Sequence, residues 1–328
     1  MSAIRRILVP VNPSRARSFP AVLKAAQVAR ACDAEIELFH SLASPLYADA
    51  RSFAQRGLKA VEGELLQKAL RRLETIADRL RLHSIKVSVA AEWDFPVYEA
   101  IIRHAERMSA DLIVVSRHSG RHIAPRMLQL TDWELVRWSP IPVLLVKNPH
   151  AYRRPVVLAA IDPTHAFAKP LALDEEILRI GDLLARGLAG KLNAVHAYAR
   201  IPADALGLLG RNPNALQRIE RQARQSAKKQ FDRTLRASRI AQSNRYLISQ
   251  HPINAIIEAA QKSHASMLVM GAVSRTGFKR FLIGNTAERI LDELSCDILV
   301  VKPANFRNRV PTTIRGPKLR LAAAPGFY

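Results

Sequence analysis

Along the chain, short apolar runs alternate with longer stretches in which apolar positions recur every three or four residues. The runs Ile7–Val11, Glu35–His40, Ile85–Ala90, Leu112–Val115 and Val143–Val146 read as strands, because four to six apolar or β-prone residues suit a sheet buried on both faces. Helical periodicity covers Pro20–Cys32, about Val61–Leu82, a segment after Pro96, and about Asp132–Trp138. The second half repeats the series. Strands are predicted at Val156–Ile161, Leu192–Tyr198, Tyr246–Ser249, Met267–Met270 and Ile298–Val301. Helices are predicted at Asp174–Leu188, about Asn214–Ile240, after Pro252, and at about Thr286–Leu294. Proline near a first helical turn is favoured, since its missing N–H has no intrahelical partner there.

The repeat is visible in the letters. Residues 110–147 lie over 265–302 without a gap, so that ADLIVVSRHSG covers ASMLVMGAVSR and TDWELVRWSPIPVLLVK covers TAERILDELSCDILVVK. Upstream, IRRILVPVNPS covers RPVVLAAIDPT with Asn12 over Asp162, and EIELFHS covers KLNAVHA with His40 over His196. Two tandem open α/β domains follow, each a parallel sheet with right-handed crossovers, over 1–150 and 151–303. A strand order of 3-2-1-4-5 would leave the fifth strands, VLLVK and ILVVK, as apolar edges, so the two domains are expected to pair there as an intramolecular pseudo-dimer. The segment 304–328 is basic, with three prolines and two glycines in RNRVPTTIRGPKLRLAAAPGFY, and is expected to form a disordered tail outside either core.

Ligands of such sheets bind beyond the carboxyl ends of the strands, where the strand order reverses. The loop after the fourth strand of the second half reads MGAVSRTGFKRFLIGNTAERIL. Gly271, Gly277 and Gly284 permit close backbone approach, and Asn285 and Thr286 stand at a helix start whose free N–H groups suit an anion. Arg275, Lys279 and Arg280 add positive charge, and Asp162 faces the same crevice from the first strand.

This loop resembles the nucleotide loop of the universal stress protein family, Gly-x2-Gly-x9-Gly-Ser/Thr, with an apolar strand before it and a helix after it. Gly271 matches the first glycine and Gly284 the third; Ser274 stands for the second, at the family's spacing, and Asn285 takes the Ser/Thr place with Thr286 next. Asp162 matches the family's acidic residue after the first strand. The resemblance covers roughly 3–148 and 154–303 and is greatest to the tandem, E-type branch. It implies an adenine nucleotide alpha hydrolase-like fold and ATP in the second domain, accompanied by Mg²⁺. Asp162, Gly271, Ser274, Arg275, Gly277, Lys279, Gly284, Asn285 and Thr286 would be the binding residues. It further implies a cytoplasmic stress-response protein that binds rather than catalyses. A slow ATPase or phosphotransfer enzyme is the alternative in another class.

The first half departs further from that pattern. In SRHSGRHIAPRMLQLTDW, Ser116 and Ser119 stand for the first two glycines, and Gln129-Leu130 for the final pair. Those side chains lie where phosphate would approach backbone, so nucleotide is expected in the second domain alone.

Charge adds a third function class. Of the net +22, residues 1–150 carry +7 and 151–328 carry +15, concentrated in 211–240 and in the tail. A polyanion such as DNA or RNA would be drawn to it. Aromatics make up only 6% of the chain and do not interleave with the charges, so base stacking is not indicated. No window is apolar enough for a membrane span, and MSAIRRILVPVN lacks the apolar core of a signal peptide. Cys32 and Cys296 have no partners at metal-like spacing, which fits reduced thiols in a cytoplasm. His118 and His122 read as an exposed polar loop rather than a zinc pair, His40 and His196 as strand-end structural histidines, and Trp133 and Trp138 as core.

Overall fold

The computed structural model describes residues 4–13, 19–42, 55–117, 131–163, 171–198, 213–272, 290, 293–315 and 320–323. They fall into two compact units, Met1–Ala151 with Arg307–Tyr328, and Tyr152–Phe306.

The first unit contains β1 (Arg6–Pro10), α1 (Pro20–Cys32), β2 (Glu35–Leu42), α2 (Gln55–Arg81), β3 (Val87–Trp93), α3 (Val97–Arg107), β4 (Leu112–Ser116), α4 (Thr131–Trp138) and β5 (Val143–Val146). These five strands are parallel and run β3-β2-β1-β4-β5. The second unit contains β6 (Val156–Ala160), α5 (Leu171–Gly187), β7 (Lys191–Tyr198), α6 (Pro213–Thr234), β8 (Arg245–Ser249), α7 (Pro252–Ser263), β9 (Met267–Gly271) and β10 (Asp297–Val301). Its parallel sheet runs β8-β7-β6-β9-β10. Both sheets therefore have the 3-2-1-4-5 order, and both reverse direction between their first and fourth strands.

The central strands are covered on both faces, which is why they read as continuous apolar runs. Ile7, Leu8 and Val9 of β1, and Val157, Leu158 and Ala159 of β6, have no solvent exposure at all. The helices contribute one apolar stripe each, such as Ile253, Ile256 and Ala260 of α7. At the turn from α5 into β7 the backbone passes so close to Pro155 that a Cβ on Gly190 would sit 2.0 Å from its carbonyl oxygen.

Three expectations need correcting. The third strand of the first unit runs to Trp93 rather than Ala90, and so carries Glu92 into the sheet. Helix α6 stops at Thr234, not near Ile240; Leu235–Ser238 continue as tight turns and a 3-10 turn at Gln242–Asn244 leads into β8. The tail is not outside the cores. Residues 307–315 lie against α3, and β11 (Arg320–Ala323) pairs antiparallel with β3, with Leu321 opposite Ala91 and Ala322 opposite Ala90. Composition argued for disorder because it counts apolar residues and ignores backbone hydrogen bonding. An open strand edge offers a row of unpaired N–H and C=O groups that four residues of almost any small sequence can satisfy.

Candidate functional site

In the second unit, Asp162 follows β6 and Gly271 ends β9, and the register that puts Ala160 opposite Met270 leaves the two residues one step apart on adjacent strands at the reversal of strand order. The backbone N–H of Asp162 donates to Asp174 Oδ2 at 3.0 Å. Asp174 lies in the first turn of α5 and is 2% exposed, so a buried carboxylate fixes the direction in which the chain leaves β6. The Oδ2 of Asp162 is shut off from solvent, while the residue as a whole is half-buried. Gly271 presents no side chain. The remaining sequence-predicted site residues, Ser274, Arg275, Gly277, Lys279, Gly284, Asn285 and Thr286, lie outside the described residues. So do the expected fourth helix of this unit except Ile290, Glu293 and Leu294, together with His118, His122, Gln129 and Leu130.

The same place in the first unit is built differently. Ser116 takes the position of Gly271, and its Oγ accepts the backbone N–H of Ala21 at 3.1 Å. Ala21 is the second residue of α1, and Phe19 at the helix N-cap supplies no side-chain bond of its own. The hydroxyl of a neighbouring strand thus caps the helix whose N-terminus opens on the crevice. Asn12, the counterpart of Asp162, is exposed.

A dense network of charged side chains lies elsewhere in the first unit, between β2, β3 and α3. Arg103, 2% exposed, donates from Nε to Asp94 Oδ2 and from Nη2 to Asp94 Oδ1, both at 2.9 Å, and from Nη1 to Glu99 Oε2, also at 2.9 Å. Asp94 is fully buried and its own carbonyl accepts the Ser41 hydroxyl at 2.6 Å. The next residue of α3, His104, stacks on Phe39 with ring centroids 4.2 Å apart and is held between two carboxylates. Its Nε2 bonds Glu37 Oε1, and its Nδ1 lies 3.0 Å from Glu92 Oε1. Arg107 reaches both oxygens of Glu92 at 2.5 Å. Burial opposes the charge on His104, but its bonds with Glu37 and Glu92 prevail and hold its pKa above the ordinary imidazole value. The two carboxylates move down in turn, against their own burial, because the imidazolium and, for Glu92, Arg107 favour their ionised forms. With His104 protonated, this cluster of two anions and two cations is neutral.

The Asp94–Glu99–Arg103 cluster has two anions and one cation, and the tail supplies the second cation. Arg315 Nη2 reaches Glu99 Oε1 at 3.2 Å, and its backbone N–H donates to Asp94 Oδ1 at 3.0 Å. Arg103 Nη1 also donates to the Pro311 carbonyl at 2.9 Å, and Asn308 Nδ2 to Glu106 Oε1 at 3.0 Å. Tyr98 donates to Glu99 at 3.2 Å, and burial together with the negative charge of Glu99 pushes its pKa up to about 12.

Sequence reasoning missed this network, although the repeat held the signal. With Pro96 over Pro252 and His40 over His196, the residues Glu37, Glu92, Asp94, Glu99, Arg103, His104 and Arg107 lie over Asn193, Ile248, Gln250, Ala255, Ala259, Ala260 and Ser263. Every charge is absent from the second copy, so the clamp that receives the tail belongs to the first unit alone. Among the other candidates, His40 Nδ1 lies 2.8 Å from the Val11 carbonyl and burial lowers its pKa, a structural strand-end histidine as expected. His196 is buried beside Phe231. Trp133 and Trp138 are only half-buried, and Trp138 donates to Glu134 Oε2 at 2.5 Å; the tryptophan of the core is Trp93. Among the described residues no group of three His, Cys, Asp or Glu side chains is placed to hold a metal ion.

Two successive 3-2-1-4-5 parallel sheets, one fourth strand ending in a glycine and the other in a serine that caps α1, define a tandem α/β protein whose copies have diverged at the switch point. The chain belongs to the universal stress protein family: the family's sequence model matches residues 3–147 and again 157–302. It is similar to Universal stress protein E of Photorhabdus laumondii, 24% identical over 314 residues that cover 93% of this chain and 97% of the relative. Universal stress protein E of Escherichia coli is 28% identical over 233 residues, 69% of this chain and 71% of the relative. Among solved structures, a putative universal stress protein of Pseudomonas aeruginosa shares the fold with a TM-score of 0.69 at 24% identity, over 92% of this chain and 95% of that one. A universal stress protein of Archaeoglobus fulgidus does so with a TM-score of 0.61 at 16% identity, over 90% and 98%. The tandem, E-like reading of the sequence is thereby shown. No helix among the described residues is long and apolar enough to cross a membrane.

Proposed function

We propose that this protein is a cytoplasmic stress-response protein that binds an anionic nucleotide, ATP or a close relative, in its second domain and none in its first. The observation that carries the reading is the contrast at the switch point. Gly271, with no side chain, ends β9 one register step from Asp162, whereas in the first domain Ser116 fills the matching position and its hydroxyl is tied to the Ala21 N–H of α1. Gly277, Gly284, Asn285 and Thr286 would receive the phosphates, Arg275 and Lys279 would offset their charge, and Asp162 would accept from a ribose hydroxyl or base amine. Ser274 would add a hydroxyl donor. A divalent ion such as Mg²⁺ would enter with the phosphates. The unbridged Cys32 and Cys296 fit a reducing compartment. Calorimetry with ATP on the wild type, Gly284→Val and Gln129→Val tests the assignment. Loss of heat in the first variant alone supports it; loss in the second alone reverses the domains; no heat from the wild type at millimolar ATP ends it.

A further inference from the structure

We propose that the outer face of α6 and the turns after it form a binding surface for duplex nucleic acid, held through its phosphates and without reading sequence. Between residues 213 and 240 the described chain carries Arg218, Arg221, Arg224, Lys228, Lys229, Arg233, Arg236 and Arg239, and all eight are exposed. Only two acidic residues accompany them, Glu220 and Asp232. Among the described residues Asp232 takes Lys228 at 2.6 Å and Arg245 at 2.9 Å, and the other seven cations of the segment form no ion pair. These two cations hold the Asp232 pKa down. At 100° per residue, Arg218, Arg221, Lys229 and Arg233 share about 120° of arc, and at 1.5 Å per residue they span about 22 Å. That length matches about six base-pair steps of a duplex, a regular array of negative charge.

The internal repeat serves as a control. The corresponding helix of the first domain, α2, mixes Glu62, Glu64, Glu74 and Asp78 among its basic residues, and its Arg81 is paired with both Glu74 and Asp78. The basic face therefore does not follow from the fold; it is confined to one copy. Its chemistry also selects among polyanions. A helix that lies on an anionic bilayer needs an apolar side to insert. The apolar side of α6, Ala227 and Phe231, continued by Leu235, is buried in its own domain, which leaves Ile219 as the exposed large apolar residue of the helix among those described. No aromatic residue stands on the charged face, so bases have nothing to stack on, and a duplex fits better than a single strand.

The test is the salt dependence of binding of the full chain to a labelled duplex of about 20 base pairs, read by fluorescence anisotropy. Replacing Arg221, Lys229 and Arg233 together by Gln removes three contacts and keeps helix propensity. The slope of log K against log salt should fall by about 2.7, at about 0.9 per phosphate contact. The same charge removed from α2, as Lys68→Gln, Arg71→Gln and Arg79→Gln, should leave the slope within about one unit of wild type. Equal losses in both variants, or no salt-dependent binding by the wild type, would overturn the proposal. So would loss of phosphatidylserine vesicle binding, with duplex binding intact, in the α6 variant. Should that variant unfold, acetylation of the wild type decides: the duplex should shield Lys228 and Lys229 and not Lys68, and equal labelling of all three with and without duplex would sink the idea.

Discussion

The Oδ1 of Asp94 accepts the backbone N–H of Arg315 at 3.0 Å, although the two residues are 221 positions apart in sequence. The same oxygen takes Arg103 at 2.9 Å, so one buried carboxylate anchors helix α3 on one side and the chain's C-terminal arm on the other. The arm then has a fixed starting point from which β11 meets the open edge of β3. A buried acid whose partners are all satisfied is costly to disturb, because removing one partner strands the rest in a medium that solvates charge poorly.

Replacing Arg103 by Leu should therefore destabilise the first domain by about 3–5 kcal/mol, leaving Asp94 and Glu99 buried beside each other. In differential scanning calorimetry its transition should fall by roughly 10 °C, given about 2–4 °C per kcal/mol for a domain of this size. Arg315→Ala should cost much less, about 1 kcal/mol at most, since that guanidinium is half exposed and the backbone bond to Asp94 survives. Equal shifts for the two variants would show that the Arg103 cluster is not the anchor.

Hydrogen exchange should separate the arm from an ordinary basic tail. The antiparallel register Arg320–Glu92 through Ala323–Val89 places amides of 320–323 in ladder bonds, so they should exchange more slowly than free-chain rates in the monomeric wild type. Deleting residues 307–328 should lower the stability of the first domain, raise exchange in β3, and increase aggregation by exposing its edge. Free-chain exchange across 320–323 would refute the docked strand.

The parallel sheets were legible from sequence because both faces are buried, and burial leaves a continuous apolar run as its mark. The apolar run 143–146 marks β5 to the residue, and the order 3-2-1-4-5 is the one the family resemblance implies. β3 runs on past Ala90 because Glu92 is an inward charge with partners on α3, and Asp94, just beyond the strand, is held by the same helix. Pairing between residues as distant as Asp94 and Arg315 leaves no local period. Nor does a strand such as RLAA, whose reason for pairing is the partner's free edge. At the candidate site, Asp162 and Gly271 follow the first and fourth strands of their sheet, on adjacent strands. Ser116 was recognised as a departure from glycine, but its bond to Ala21 needed the three-dimensional neighbour.

The stability of the first domain should depend on pH through His104. Its folded-state pKa lies above the ordinary imidazole value, so the protonated ring stabilises the fold below about pH 6.5 and that contribution is lost as pH rises through the folded value. Glu37 and Glu92 are shifted down, so their contribution is present above the ordinary carboxylate range and lost only in acid. The wild-type melting temperature should consequently decline from about pH 6 toward pH 9, against a background in which a chain of net +22 would gain from losing charge. His104→Gln should be less stable at pH 6 and should not show the decline. A wild type whose melting temperature rises steadily over that range would place the neutral ring in the fold instead.

Exchanging the residues at the two switch points should have opposite consequences in the two domains. Ser116→Ala removes the cap on Ala21 and should cost the first domain about 1 kcal/mol, the usual value of a helix N-cap, with no effect on ligand binding. Gly271→Ser puts a hydroxymethyl group at the end of β9 beside Asp162, where the first domain carries its own. It should leave the melting temperature of the ligand-free protein nearly unchanged, because Gly271 lies at the strand's carboxyl end and is only half-buried. It should nevertheless weaken ATP binding by about tenfold or more, the equivalent of about 1.4 kcal/mol. Thermal shift with and without ATP reads both quantities in one experiment, since a ligand that binds the folded state raises the transition by mass action. If Gly271→Ser retains the full ATP-induced shift while Ser116→Ala loses it, the nucleotide sits in the first domain, and the serine hydroxyl there is a ligand contact and not a cap.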